Sequence, residues 1–296
     1  CRLCAASIDA LTFALPIFLI IVSLNTGLGV GINSIISRLL GAKNKEEAEN
    51  AAAHGIVMTA TLAMVVYLVG RLVLGPLYTL FGSAPDVRVL SISYMQIILF
   101  AVFFMFPAYA INSVFAAQGD TRTPMMVQMF GFVLNAILDP IFIYVLRYGV
   151  RGAAIATDIA IAVTLLVYVY FLRKRSYLRV GLRRFRFSFG LCREICRVGA
   201  PASLMMLTMS VYVMFLNRFM AHFGTDYVAS FGLASRLESF VSLPIFAISI
   251  SLLTLVGMFA GAKRHDLVKS ISRYGIRIGL LAAAGIGVLF YAFPIA

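Results

Sequence analysis

The stretch Pro124-Met-Met-Val-Gln-Met-Phe-Gly-Phe-Val-Leu-Asn135-Ala136-Ile137-Leu138-Asp139-Pro140-Ile-Phe-Ile-Tyr144 is apolar along nearly all of its length. It matches the ~20 residues that a helix needs to cross a bilayer. A carboxylate at membrane depth costs about 2.5 kcal/mol or more, which makes Asp139 a candidate functional group. Asn135 lies four residues earlier, one helical turn away on the same face. Pro140 has no N–H to donate, so the carbonyl of Ala136 loses its helical partner beside the acid.

The rest of the chain has the same character. Its 296 residues are 61% hydrophobic and only 12% charged, with a mean hydropathy of +0.96. That balance excludes a soluble domain and predicts an all-α polytopic membrane protein. Eight segments are long enough to span, at about 8–38, 50–76, 88–117, 124–146, 150–172, 195–222, 227–259 and 268–294. The chain begins with Cys1 and ends in an apolar run at Ala296, and reads as a fragment without a cleavable leader.

The net charge of +13 would suggest nucleic acid in a soluble chain. Here the basic residues sort by side of the membrane instead. Arg38, Lys43, Lys45, Arg122, the run from Arg173 to Arg197, Lys263, Arg264, Lys269 and Arg273 fall on one side. Arg2, Arg88, Arg147 and Arg151 fall on the other. The positive-inside rule makes the first set cytoplasmic and the protein a multi-pass component of the plasma (inner) membrane, with a linker over 173–197 in the cytosol. Such a basic linker suits anionic lipid headgroups, and no nucleic-acid partner is expected.

An internal repeat divides the chain. A shift of 220 residues lays Gly41-Ala42-Lys43 on Gly261-Ala262-Lys263, Gly55 on Gly275 and Ser34 on Thr254. The first span is thereby equated with the seventh, six spans later, so orientation is preserved and the halves are parallel repeats about an axis along the membrane normal. The expected division is a lobe over 1–175 lacking its first helix, a linker over 176–194, and the first three helices of a second lobe over 195–296. The intact protein is expected to have twelve spans in two six-helix lobes related by a pseudo-twofold, with eight of them here.

Enzyme chemistry finds no support. There is no phosphate-binding Gly-rich loop with Lys-Ser or Lys-Thr, no Ser–His–acid set and no carboxylate pair. Cys1, Cys4, Cys192, Cys196 and the three histidines lack metal-ligand spacing, so no cofactor or resident metal is expected. Six plus six spans with an intramembrane acid point to a secondary transporter driven by an ion gradient. Asp139 lies roughly 12 Å, and Thr157 roughly 7–8 Å, below the outer surface on spans joined by a short hairpin, so Asn135, Asp139 and Thr157 are expected to meet. A structural reading, in which they only satisfy the backbone freed by Pro140, stays open, and Pro140 is also a candidate hinge. Asp158, Arg236 and Glu238 are candidate supporting polar or ion-pair residues, and Asp158 points about 100° away from Thr157 on a helix. Asp9, Arg71 and Arg218 lie near span ends, where they can snorkel. In the turn Gln118-Gly-Asp-Thr-Arg-Thr-Pro124, Thr123 before Pro124 reads as an N-cap followed by proline at the first helical position.

Gln118-Gly-Asp-Thr-Arg-Thr-Pro124, Asn135-x-x-x-Asp139-Pro140 and Gly152-Ala-Ala-Ile-Ala-Thr157 resemble the multidrug and toxic compound extrusion (MATE) family. Ile36-Ser37-Arg38 with Gly41-Ala42, and Ala234-Ser235-Arg236-Leu237-Glu238 ahead of Pro244, fit the same family, most of all its prokaryotic branch of DNA-damage-inducible F proteins. The resemblance covers essentially the whole chain. It implies twelve helices in two lobes and export of cationic amphipathic compounds in exchange for sodium ions or protons. It also implies that Asn135, Asp139 and Thr157 surround the coupling cation, a sodium ion at Asp139 included, together with an acid on a first helix absent here. Some relatives carry an acid within the helix matching 195–222, whereas this chain has none after Glu194, which puts an ion site there in doubt.

The expectation is therefore an antiporter, acting as a monomer on small cationic molecules among membrane lipids. Met105, Phe106, Met129, Met205 and Tyr212 are candidates for its apolar drug surface. A flippase for lipid-linked sugars on a related scaffold is the alternative, and an intramembrane enzyme is the rival from another class. The substrate and the coupling ion are not legible at this level.

Overall fold

The structure is a computed structural model. It describes the backbone over residues 2–80, 85–181, 185–221 and 225–292, with side chains described mainly over 18–76, 95–149, 151–181, 185–212 and 242–288. The described residues form eight long helices: α1 (Arg2–Gly41), α2 (Lys45–Leu80), α3 (Pro85–Ala117), α4 (Arg122–Pro140), α5 (Gly149–Arg175), α6 (Phe189–Ala221), α7 (Thr225–Gly261) and α8 (His265–Ala292). All eight are long and apolar enough to cross a membrane. They coincide with the eight expected spans because length and hydropathy, rather than fine periodicity, identify such helices.

Two details of α4 differ from expectation. The helix begins at Arg122, with Thr121 as a cap residue whose side chain makes no capping bond. Asp120 does that work, its Oδ1 accepting the Thr123 N–H at 3.0 Å. Thr123 is thus inside the helix, and Pro124 occupies its third position. At the other end the α-helical ladder stops at Pro140 and continues as a single π-turn over Ile141–Val145, in which the Leu146 N–H reaches back five residues to Ile141 O at 2.9 Å. A proline that withholds an N–H is a physical reason for the register to slip there.

Within the first five helices α3 is central, packed against α1, α2 and α5. Its Phe106 is fully buried, in a cluster with Ile21, Met95 and Leu99. A second cluster, built on Ile32, Ile35, Ile36 and Val114, extends into the linker through Leu178 and into α6 through Ile195. The glycine-rich stretch of α1 allows close packing, with Gly27 facing Gly199 and Ser203 of α6, Gly29 facing Tyr109 of α3, and Gly31 facing the Ile195 carbonyl.

α1 also meets α7, and there the contact is reciprocal. A side chain at Gly41 would run into the backbone carbonyl of Met258, and one at Gly261 into the backbone carbonyl of Arg38. Each pair maps onto the other under the shift of 220 residues. The two turns that follow match as well. Lys43 and Lys263 both have left-handed backbones, with φ of 58° and 57°. Ala42 N–H bonds Arg38 O at 3.0 Å, as Ala262 N–H bonds Met258 O at 3.0 Å. The seam is reinforced by Thr254, whose hydroxyl lies 3.0 Å from Asn33 Oδ1 and 3.1 Å from Ala116 O. Arg38 pairs with Glu194 at 2.8 Å, but both side chains are half exposed, so the pair contributes under about 1 kcal/mol.

The linker is a strap held by its backbone. Tyr177 N–H donates to Gln118 Oε1 at 2.8 Å, Arg179 N–H to Glu49 Oε1 at 2.9 Å, and Arg186 N–H to Asn50 Oδ1 at 3.1 Å. Ser188 N–H donates to His54 Nε2 at 2.9 Å, which assigns the ring proton to Nδ1, 2.8 Å from Asn50 O. The buried His54 ring also lies 4.5 Å from that of Phe185. His54→Ala leaves the Ser188 N–H without its acceptor, a cost of about 1–3 kcal/mol that shifts the docked strap toward release by roughly fivefold or more. Limited trypsin digestion reads this: cleavage after the exposed Arg179 and Arg186 is expected to accelerate, and an unchanged rate would mean that His54 does not hold the strap.

Candidate functional site

The α4–α5 hairpin brings three separated polar residues together. Asn135 Nδ2 donates to Asp139 Oδ1 at 3.3 Å along its own helix and to Thr157 Oγ1 at 3.3 Å on α5. Thr157 in turn donates to Ala153 O at 2.9 Å, which fixes its hydroxyl so that its lone pairs face Asn135. All three side chains are half-buried. The one-turn spacing supplies the first bond, and the short hairpin, which turns through Arg147 and Gly149 at φ of 57° and 56°, supplies the second.

Asn135 and Thr157 line a cavity of about 240 Å³ between α3, α4 and α5, and Asp139 sits one turn beyond its lining. Met105, Tyr109, Phe132 and Ile161 give the cavity apolar and aromatic walls. Its other polar residues are Gln128, Thr164 and Tyr168. Tyr168 is satisfied by Asn112, whose Nδ2 donates to its hydroxyl at 3.0 Å, and Thr164 by Ala160 O at 2.7 Å. The chain carries a readable signal for these residues. Gln128 precedes Asn135 by seven positions and Thr164 follows Thr157 by seven, two turns along the same face in each case.

Pro140 ends α4 directly after Asp139, so the acid stands at the junction between α-helix and π-turn. Asp158 does not join the cluster. It is buried on a different face of α5, lining a groove shared with α3. The side chains of Arg236 and Glu238, like those of Asp9 and Arg218, lie outside the described residues. Of the apolar candidates, Met105 lines the cavity and Phe106 is packed in the core. Met129, Met205 and Tyr212 are largely exposed on α4 and α6.

The MatE family's pattern matches residues 2–141 and 201–295, on either side of the linker. The chain belongs to the MatE family. "Probable multidrug resistance protein YoeA" of Bacillus subtilis (strain 168) is 27% identical over 97% of the chain and 64% of its own length. "Multidrug export protein MepA" of Staphylococcus aureus (strain MRSA252) is 28% identical over 89% of the chain and 59% of its own length. The chain therefore spans about three-fifths of the curated MatE relatives it matches. A solved MatE-family structure, described as the outward-facing conformation of a multidrug resistance MATE family transporter, superposes with a TM-score of 0.94 at 30% identity, covering 97% of the chain and 64% of that protein. These relatives are transporters, and the eight-helix array is a polytopic membrane architecture shared with them.

Proposed function

We propose that the chain forms part of an antiporter that exports cationic amphipathic compounds in exchange for protons or sodium ions. Asn135, Asp139 and Thr157 hold the coupling cation, and the adjoining cavity receives the exported compound. The observation that carries this reading is the single amide of Asn135 bonded to both Asp139 and Thr157 at the wall of an apolar, aromatic cavity. Charging or neutralising Asp139 changes what Asn135 can bond, and Asn135 is one of the side chains that tie α4 to α5. A cation arriving at Asp139 thereby alters helix packing next to the compound. Pro140 and the π-turn interrupt the hydrogen-bond ladder that α4 would otherwise continue, and so mark the place where it bends in response.

Among the described residues the cavity lining carries no basic side chain, which favours a cationic occupant over a phosphate-bearing lipid. The reciprocal contact of Gly41 and Gly261 supports two lobes, 1–175 and 195–296, rocking about a seam near the basic end of α1, with 176–194 as the connector. The concentration of Lys and Arg at that end supports its placement in the cytosol.

The test is efflux of a fluorescent lipophilic cation from proteoliposomes containing the full-length protein, with a sodium gradient and a pH gradient imposed separately. One gradient alone is expected to drive efflux, and that result names the ion. No efflux under either gradient would overturn the antiporter reading.

A further inference from the structure

Asp158 follows Thr157 directly, but the helix turns it by about 100°, away from the Asn135 cluster. It is 8% exposed, and its Oδ1 is buried without a hydrogen-bond partner among the described residues. It lines a groove of about 610 Å³ between α3 and α5, whose other walls are Gln96, Ile97 and Phe100 from α3 and Arg151, Ile155 and Ile159 from α5. The groove is a separate space, since Asp158 has no part in the cavity beside Thr157. Among the described residues its only titratable or charged groups are Asp158 and Arg151. Arg151 stands seven residues nearer the helix start, roughly 10 Å away along the axis.

A carboxyl oxygen buried among Ile and Phe side chains without a donor is costly, and the cost is relieved when a proton or a metal cation joins it. Gln96, the one neutral polar side chain that α3 contributes to the groove lining, offers a carbonyl oxygen that can accept from the protonated acid or help ligate a cation. We propose that the α3–α5 groove is a second monovalent-cation site, in which Asp158, assisted by Gln96, takes up a proton or a sodium ion at the end of the bundle opposite the basic linker. Its occupancy acts on α5 from a different face than Thr157, so the one helix is loaded at two places around its axis. The site stands whether or not Asp139 couples transport.

Dicyclohexylcarbodiimide, which forms adducts with protonated carboxyls in apolar surroundings, tests it in the full-length protein in lipid nanodiscs. Trypsin cleavage after Arg151 and Arg173 releases a peptide whose only acid is Asp158, distinct from the peptide that carries Asp139. An adduct on that peptide is expected, falling roughly tenfold per pH unit above the titration midpoint. Protection by added sodium at constant pH identifies a sodium site, and labelling indifferent to sodium identifies a proton site. The near-isosteric Asp158→Asn protein supplies a second readout, since its acid–base titration should take up one proton fewer than the unaltered protein. Either readout supports the site. Absence of both the adduct and the proton difference overturns it and leaves Asp158 a packing residue. Because the two acids are read on different peptides, failure here is distinguishable from failure at Asp139.

Discussion

Asp139→Asn is expected to abolish ion-coupled efflux while leaving the protein folded and inserted. Asparagine matches aspartate in shape, and its amide oxygen can still accept the bond that Asn135 Nδ2 now gives to Asp139 Oδ1 at 3.3 Å. What disappears is the charge. An amide neither exchanges a proton near neutral pH nor offsets the charge of a sodium ion. Removing a charged partner from such a contact costs about 2 kcal/mol or more, close to a 30-fold loss of cation affinity. In the proteoliposome assay the ion-dependent component of efflux should fall to the background of empty vesicles. Asn135→Ala is expected to do less, because it loosens the α4–α5 tie but leaves the acid in place. Undiminished gradient-driven efflux by Asp139→Asn would remove Asp139 from the mechanism.

Gly41→Leu is expected to force α1 and α7 apart at the basic end. A side chain there meets the backbone carbonyl of Met258, which belongs to a helix and cannot rotate away. Overpacking of this kind costs roughly 1–3 kcal/mol, enough to shift a two-state packing equilibrium by about five- to 150-fold. Gly261→Leu meets the Arg38 carbonyl in the corresponding way and should produce a shift of similar size. Spin labels at Lys43 and Lys263, both exposed just beyond the glycines, report the separation by pulsed electron resonance. The expected result is a longer, broader distance distribution in both variants. Gly279→Leu, at a position with open space around it, should leave the distribution unchanged. An unaltered Lys43–Lys263 distance in Gly41→Leu would show that the approach of α1 to α7 does not set the closure of this end.

How far the site was legible depended on how local its geometry is. Asn135 and Asp139 share a face by helix periodicity, and Thr157 reaches them because a hairpin of few residues leaves α4 and α5 no choice but to be neighbours. What Asp158 faces is not legible in the sequence, since it depends on which helix covers that side of α5, and α3 is separated from it by the whole of α4. The strap was opaque for another reason. Its bonds run from backbone N–H groups to Glu49, Asn50 and His54, and backbone donors leave no mark on composition. The start of α4 differs from the expected one because Asp120 and Thr123 are both good cap residues, and the bond from Thr123 N–H to Asp120 Oδ1 decides between them. Gln128 and Thr164 were readable but passed over, because hydroxyls and amides in a membrane helix usually serve their own backbone, as Thr164 does.

The reciprocal seating of Gly41 on Met258 and Gly261 on Arg38 is a local twofold relation. A patch that contacts its own equivalent is what two identical polypeptides present to each other about a twofold axis. Here both patches lie in one polypeptide, so the two contacts need not stay identical. Position 38 is now an arginine paired with Glu194, whereas its counterpart 258 is a methionine, and Ser34 is matched by Thr254. The glycines and their turns mirror each other while the residues around them differ, so one backbone contact is made twice in two different side-chain settings.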